Sequence, residues 1–272
     1  MIIKYKEFSE AVWDYYAHNK REFLWRSHIS PYWVVVSEVM LQQTQVDRVA
    51  VKFSEFVERF DSFSALASAS VGEVVKAWQG LGYNRRALYI HRLAQEIIVN
   101  FEGKLPNDPE ILEQLPGIGP ATARSIVAFA YNIPTVFIET NIRAVYIYWF
   151  FDQTQKISDR DIFPLVKDTV DQKNPREWYY ALMDYGTMLK KKYKNPARSS
   201  RHYVRQSKFE GSDRQIRGAL LRACVVPVRY NNIIVEYSLT FKKDISHIIK
   251  IINTVISEGF IEKTDDILKL RS

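Results

Sequence analysis

The chain has 272 residues, enough for one large domain or two ordinary ones, and its 47% apolar and 25% charged residues are those of a globular protein. Its single cysteine, Cys224, excludes an intrachain disulfide and any cluster held by several cysteines of one chain, while the net charge of +7 is compatible with a polyanionic partner. There is no apolar run long enough to span a membrane, and the opening "MIIKYKEFSEAVWDYYAHNKREF" mixes acids and bases without a signal peptide's apolar core. The expectation is therefore a cytosolic monomer without a membrane segment.

In chain order, the first two-thirds reads as helices. "KEFSEAVWDYYAHN" places Phe8, Val12 and Tyr15 at helical spacing. "SEVMLQQTQVDRVAVKFSEFVERF" continues at that period, with Val39, Val46, Val49, Phe53, Phe56 and Phe60 as its core stripe. In "SVGEVVKAWQGLGY", Ser70 is a capping residue, and Gly80 and Gly82 end the helix. "NRRALYIHRLAQEIIVNFEG" is a further amphipathic segment closed by Gly103, and "DPEILEQL" starts on a capping Asp followed by Pro. "PATARSIVAFAYN" is a helix of small residues, which predicts a close neighbour. From Lys190 to Arg217 the chain carries ten Lys or Arg against Glu210 and Asp213. This basic stretch reads as a linker over 190–211. Beyond it, "SDRQIRGALLRACVV" and "KKDISHIIKIINTVISEGFIEKTDDILKL" read as helices followed by a hairpin turning at "KTDD", a winged-helix-like module at 212–272.

In "LPGIGPATA", Gly117 and Gly119 flank Ile118 immediately before a helix. Glycine lets another backbone approach closely, and the first turn of a helix presents unpaired N–H groups with a partial positive charge. Together they make a seat for a phosphate oxygen. Taken alone, the motif reads first as a plain helix–turn–helix corner.

The surrounding motifs extend the pattern. "LPGIGPATA", "SEVMLQQTQV", "LWR" with "PYWVVVSEVMLQQT", "GLGYNRRA" and "YALMDYGTML" occur in the order found in helix-hairpin-helix DNA glycosylases. The chain resembles that superfamily, which includes endonuclease III and the MutY-type adenine glycosylases, over about residues 8–190. The resemblance implies a mostly α, two-lobed fold spanning residues 1–211, ahead of the 212–272 module. It implies hydrolysis of the bond joining a flipped base to deoxyribose in double-stranded DNA with a mismatch or a damaged base.

Residue by residue, Glu38 matches the acid that protonates the departing base. Its neighbours Val34, Val35, Val36, Val39, Met40 and Leu41 would raise its pKa if the carboxyl is buried. Glu139, in "VFIETNIRAV", stands where the family has aspartate and would face the sugar cation, with Asn141 helping to position it. As a plain alternative, Glu139 is a helix cap. Gln42, Gln43 and Thr44 match residues at the lesion, and Tyr83 matches an intercalating tyrosine. Gly117, Gly119, Ala121 and Thr122 would meet the DNA strand, and Trp25, Arg26 and Ala121 would line the base pocket. Ala121 stands where bifunctional relatives carry a Schiff-base lysine, so a monofunctional enzyme is expected.

The family's four cluster cysteines are replaced by Lys190, Ala197, Ser200 and Gln206, which resembles the clusterless branch. No cofactor is required on this reading. Lys190, Lys191 and Lys192 would contact phosphates directly. The resemblance also allows a monovalent or divalent cation on the backbone carbonyls of Glu113, Leu115 and Ile118. The expected reaction is removal of adenine opposite guanine or 8-oxoguanine, in the cytoplasm and associated with the nucleoid. A thymine, uracil or hypoxanthine glycosylase is the alternative within enzymes, and a non-catalytic lesion-binding protein is the alternative outside them.

Overall fold

The computed structural model describes residues 2–152, 154–193, 195–204 and 208–272. Its helices are α1 (Ile2–Asn19), α2 (Leu24–Ser27), α3 (Pro31–Leu41), α4 (Val46–Arg59), α5 (Phe63–Ser68), α6 (Val71–Ala77), α7 (Arg85–Phe101), α8 (Pro109–Leu112), α9 (Pro120–Tyr131), α10 (Thr140–Phe150), α11 (Asp159–Thr169) and α12 (Pro175–Lys192). A 3₁₀ turn, Pro196–Ser199, follows. The C-terminal part runs α13 (Asp213–Ala223), β1 (Val228–Arg229), α14 (Tyr230–Phe241), α15 (Ile245–Ser257), β2 (Ile261–Thr264) and β3 (Ile267–Leu270). No described helix is long and apolar enough to cross a membrane.

The chain divides into two compact units. The first comprises Met1–Glu38, Pro106–Gln114 and Ile118–Arg205, and the second Val39–Leu105, Leu115–Gly117 and Gln206–Ser272. In the first unit α12 packs on α1, α9 and α10. The core there is aromatic. Phe8 meets Tyr146, Trp149, Phe150 and Trp178 at centroid distances of 5.1–5.7 Å. Tyr16, rather than the expected Tyr15, is the buried tyrosine of α1. Counting from Phe8 and Val12, the i+4 position points more squarely inward than i+3.

In the second unit α7 packs on α5 and α6. The helix expected to run unbroken from Ser37 to Phe60 is two helices. Residues 42–45 form a turn between α3 and α4 in which Gln43 adopts φ 55°. Val39, Val49, Phe53, Phe56 and Phe60 are buried as expected, but Val46 opens α4 and is only half-buried. Ser70 caps α6 in a full capping box with Glu73, and α7 closes through left-handed Glu102 ahead of Gly103.

The order α13-β1-α14-α15-β2-β3, with an antiparallel sheet of strand order β1-β3-β2, is that of a winged helix. The hairpin turns at left-handed Asp265, within the expected "KTDD". Helix α14 and the short β1 have no counterpart in the sequence reading. Part of the basic stretch is well packed. Lys190–Lys192 complete α12, and Pro196, Ala197 and Ser200 are buried beside α10, with Ser200 bridged to Ile157.

Candidate active site

Helix α3 begins on Pro31 and consists of apolar residues apart from Ser37 and Glu38 in its body. Glu38 keeps a little accessible surface, yet its carboxyl is enclosed deeply enough for burial to dominate its titration. Its pKa is raised to about 7 by that desolvation, against a hydrogen bond from Ser125 and the Arg26 guanidinium, which lower it, and with the Glu139 charge, which raises it. Ser125, buried on α9, holds Glu38 Oε2 through its hydroxyl.

Glu139 is the N-cap of α10. Its Oε1 accepts from the backbone N–H groups of Asn141 at 2.7 Å and Ile142 at 3.0 Å, and its Oε2 from Asn141 Nδ2 at 3.2 Å. The capping alternative is therefore a real feature, and it also immobilises the carboxylate that the resemblance places at the sugar. Asn141 Oδ1 is buried and takes no hydrogen bond from the described residues. The backbone of Asn141 lies so close to α12 that a Cβ on Gly186 would fall 2.5 Å from its carbonyl oxygen. Arg143 then ties α10 to α11 through a two-pronged pair with Asp159 at 2.7 and 2.8 Å.

Arg26 and Trp25 are both buried on α2, with Trp25 stacked on Phe23 at 4.8 Å. The Arg26 guanidinium lies 4.4 Å over the Tyr180 ring and grips Asp184 on α12 through bonds of 2.9 and 3.1 Å. Asp184 also takes Arg21 Nε at 2.6 Å and the Arg21 backbone N–H at 3.0 Å. Its side chain is 1% exposed, so two cations and a backbone amide compensate the buried acid. Asp184 was missed by the sequence reading. The signal was an acid inside the otherwise apolar helical run "YYALMD".

Ala121 is exposed and Thr122 half-buried in the first turn of α9, whose N-cap, Gly119, has open space around it. Arg124 folds back onto the Glu113 carboxylate and the Pro120 carbonyl. Lys190 is half-buried. Burial lowers its pKa, while the Glu139 carboxylate nearby raises it and Arg21 lowers it. Lys191 and Lys192 are exposed. At the positions of the family's cluster, Ala197 and Ser200 are buried without a sulfur atom between them, so these residues do not fit an iron–sulfur group. Gln206 lies outside the described residues.

The remaining candidates belong to the second unit. Gln42 Nε2 donates to the Gly117 carbonyl at 3.2 Å. Gly117 adopts φ 79°, and a Cβ there would meet Tyr89 at 2.7 Å, so glycine is required twice over. Tyr83 is in the left-handed region at φ 47°, and its hydroxyl accepts from Arg214 at 3.1 Å. Gln43, Thr44 and Tyr83 line a cavity of about 430 Å³ together with Arg48, Arg214 and Arg222.

Arg86 organises these loops and was also missed. One guanidinium nitrogen donates to the carbonyls of Val39, Met40 and Gln42 at 2.7–2.8 Å. The other reaches Thr44 Oγ1, Leu81 O and Gly82 O at 2.8–3.2 Å. Burial lowers its pKa to about 10, which leaves it cationic at neutral pH.

Residues 36–166 match the HhH-GPD superfamily of base excision DNA repair proteins. The adenine DNA glycosylase of Mycolicibacterium smegmatis is 30% identical over 93% of this chain and 92% of its own length. The chain belongs to the HhH-GPD superfamily and is MutY-like within it. The adenine DNA glycosylase of Mycobacterium tuberculosis is 29% identical over 93% of this chain and 89% of its own length. Among solved structures, a thermostable thymine-DNA glycosylase superposes with a TM-score of 0.61 at 21% identity, covering 68% of this chain and 87% of that one. At that identity the HhH-GPD fold is what the two share.

Proposed function

We propose that this HhH-GPD protein is a monofunctional DNA glycosylase that removes adenine opposite guanine or 8-oxoguanine. Residues 1–211 carry the chemistry, and the 212–272 module adds to the DNA-binding surface. The observation that carries the reading is a carboxyl group with a pKa of about 7, Glu38, in the same unit as a second, immobilised carboxylate, Glu139. Glu38 holds a proton near neutral pH and delivers it to a ring nitrogen of the departing base. As the glycosidic bond lengthens, positive charge builds on the sugar, and the Glu139 carboxylate stabilises it. Water then completes hydrolysis at C1′. Asn141 Oδ1, buried and with an acceptor to spare, offers an anchor for a donor beside the reacting atoms. Ala121 brings no amine, so the reading excludes a Schiff base formed from that position.

The open N-terminus of α9 at Gly119 takes a backbone phosphate, with Thr122 beside it, and Lys190, Lys191 and Lys192 add charge. Gln42, Gln43, Thr44 and Tyr83 engage the duplex at the lesion. A cation on the carbonyls of Glu113, Leu115 and Ile118 belongs to the same proposal. Its chemistry is electrostatic support for a phosphate.

The test uses duplexes carrying A:8-oxoG, A:G, T:G, U:G and hypoxanthine, followed by hot alkali. Cleavage of the adenine duplexes after alkali only is the expected result. Nicking without alkali overturns the monofunctional assignment, and cleavage of T:G or U:G alone overturns the adenine assignment. Because the acid works in its protonated form, single-turnover rates should fall as pH rises through about 7. Glu38→Gln should abolish release at every pH.

A further inference from the structure

The Ser125 hydroxyl has one proton and two acceptors within reach, Oε2 of Glu38 and the Thr122 carbonyl at 3.0 Å. Two arrangements follow. If Glu38 carries its proton on Oε2, that proton points at Ser125 Oγ, Ser125 turns to Thr122, and the acid is occupied internally. If Ser125 donates to Oε2, the acid's proton sits on Oε1, which takes no hydrogen bond from the described residues. Only the second arrangement presents a proton outward.

We propose that Ser125 is a positioning residue for the proton donor, fixing the proton of Glu38 on Oε1, where a departing base can take it, and receiving the resulting carboxylate on Oε2. This deepens the glycosylase reading and rests on it. Proton transfer converts a neutral hydrogen-bond acceptor into an anionic one, so the Ser125–Glu38 bond strengthens as the base leaves. The help is greater in the transition state than before it, the condition for catalysis.

The placement is local in origin. Ala121 and Ser125 are one turn apart on α9 and share a face. Ala121 puts no functional group on that face of the outer turn, and a short hydroxyl one turn deeper reaches α3. Around Glu38, Arg26 from α2 favours the carboxylate, Glu139 from the start of α10 opposes it, and Tyr180 from α12 has its own pKa raised partly by the Glu38 charge. Ser125 is the hydrogen-bonding member of that set and favours the ionised form.

Two measurements on the full chain decide it. In the first, single-turnover base release from the adenine duplex is followed across about pH 5–9 for wild type, Ser125→Ala and Ser125→Thr. Ser125→Ala should lower the plateau by on the order of ten-fold and move the high-pH limb upward by about one pH unit, since the donor that lowers the acid's pKa is gone. Ser125→Thr, which keeps a hydroxyl, should restore both. A lower plateau with an unmoved limb and no recovery in Ser125→Thr would reduce Ser125 to packing and overturn the proposal. In the second, carbon NMR titration of the Glu38 carboxyl without DNA should show the same upward shift in Ser125→Ala, and no shift overturns the proposal. If that shift occurs but no variant releases a base, the hydrogen bond stands, and the glycosylase reading falls together with the catalytic role.

Discussion

At the scale of single residues, Glu139 caps α10, and under the proposed function the same carboxylate also faces the sugar cation. Its Oε1 satisfies two of the unpaired N–H groups at the start of α10, and its Oε2 is braced by Asn141. Glutamate reaches one methylene further than the family's aspartate, and the cap absorbs that length by curling the side chain back over its own helix. The two tasks are separable by mutation. Glu139→Gln retains an oxygen for the cap, so thermal denaturation should change little, while turnover falls on the order of 100-fold or more because the sugar cation loses its counter-charge. Duplex affinity should stay within about two-fold. A variant that unfolds and loses turnover together would make Glu139 a cap alone. Glu139→Asp should fold normally, since aspartate caps well. Its rate shows whether the shorter carboxylate still reaches the sugar: a loss of about ten-fold is expected if the longer reach matters, and an unchanged rate would show that it does not.

At the scale of elements, the positions of the helices rest on a few close approaches and buried cations. Helices α10 and α12 come together at Gly186, where an added Cβ would sit 2.5, 2.8 and 2.9 Å from atoms of Asn141. Backbone cannot move aside as the tip of a side chain can. Gly186→Ala should therefore lower stability by about 1–3 kcal/mol, read as a lower Tm. It should also reduce turnover more than the stability loss explains, because the displaced atoms belong to the residue bracing Glu139. Unchanged turnover in the folded fraction would dissociate this packing from the site. Arg86 acts by a different principle in the second unit. It gathers five carbonyls and a hydroxyl at the end of α3 and in the loop before α7 onto one buried guanidinium.

At the scale of the whole chain, charge is unevenly placed. The net +7 includes ten basic residues between Lys190 and Arg217, and Lys191 and Lys192 are exposed at the end of α12. Under the proposed function these lysines act on phosphates and carry no sequence information. Replacing Lys191 or Lys192 by Ala should weaken binding to all duplexes alike. The slope of log affinity against log salt should become shallower by about 1 for each phosphate that is no longer neutralised. A fluorescence titration at several salt concentrations measures this. An unchanged slope removes these lysines from the interface.

Much of the fold was legible because it rests on local rules. The capped start at Ser70, the stop near Gly103, the stripe from Val49 to Phe60 and the turn at Asp265 each follow from spacing and backbone preference within a few residues. The motif order pointed to the family for the same reason, since glycine turns and their neighbours leave a fixed local signature. The break at 42–45 was not legible, because a helical period continues through it while Arg86, more than forty residues away, collects the carbonyls that the break exposes. Nor were Ser125 beneath Glu38 or the Asp184 clasp on Arg26, and the raised pKa of Glu38 was legible only on the condition of a burial that spacing does not establish. Each depends on the desolvation and partners of a group, which are set by segments distant in sequence. One-dimensional spacing determines which residues can share a face of a helix, and only the packed tertiary structure determines what that face meets and how far water is excluded from it.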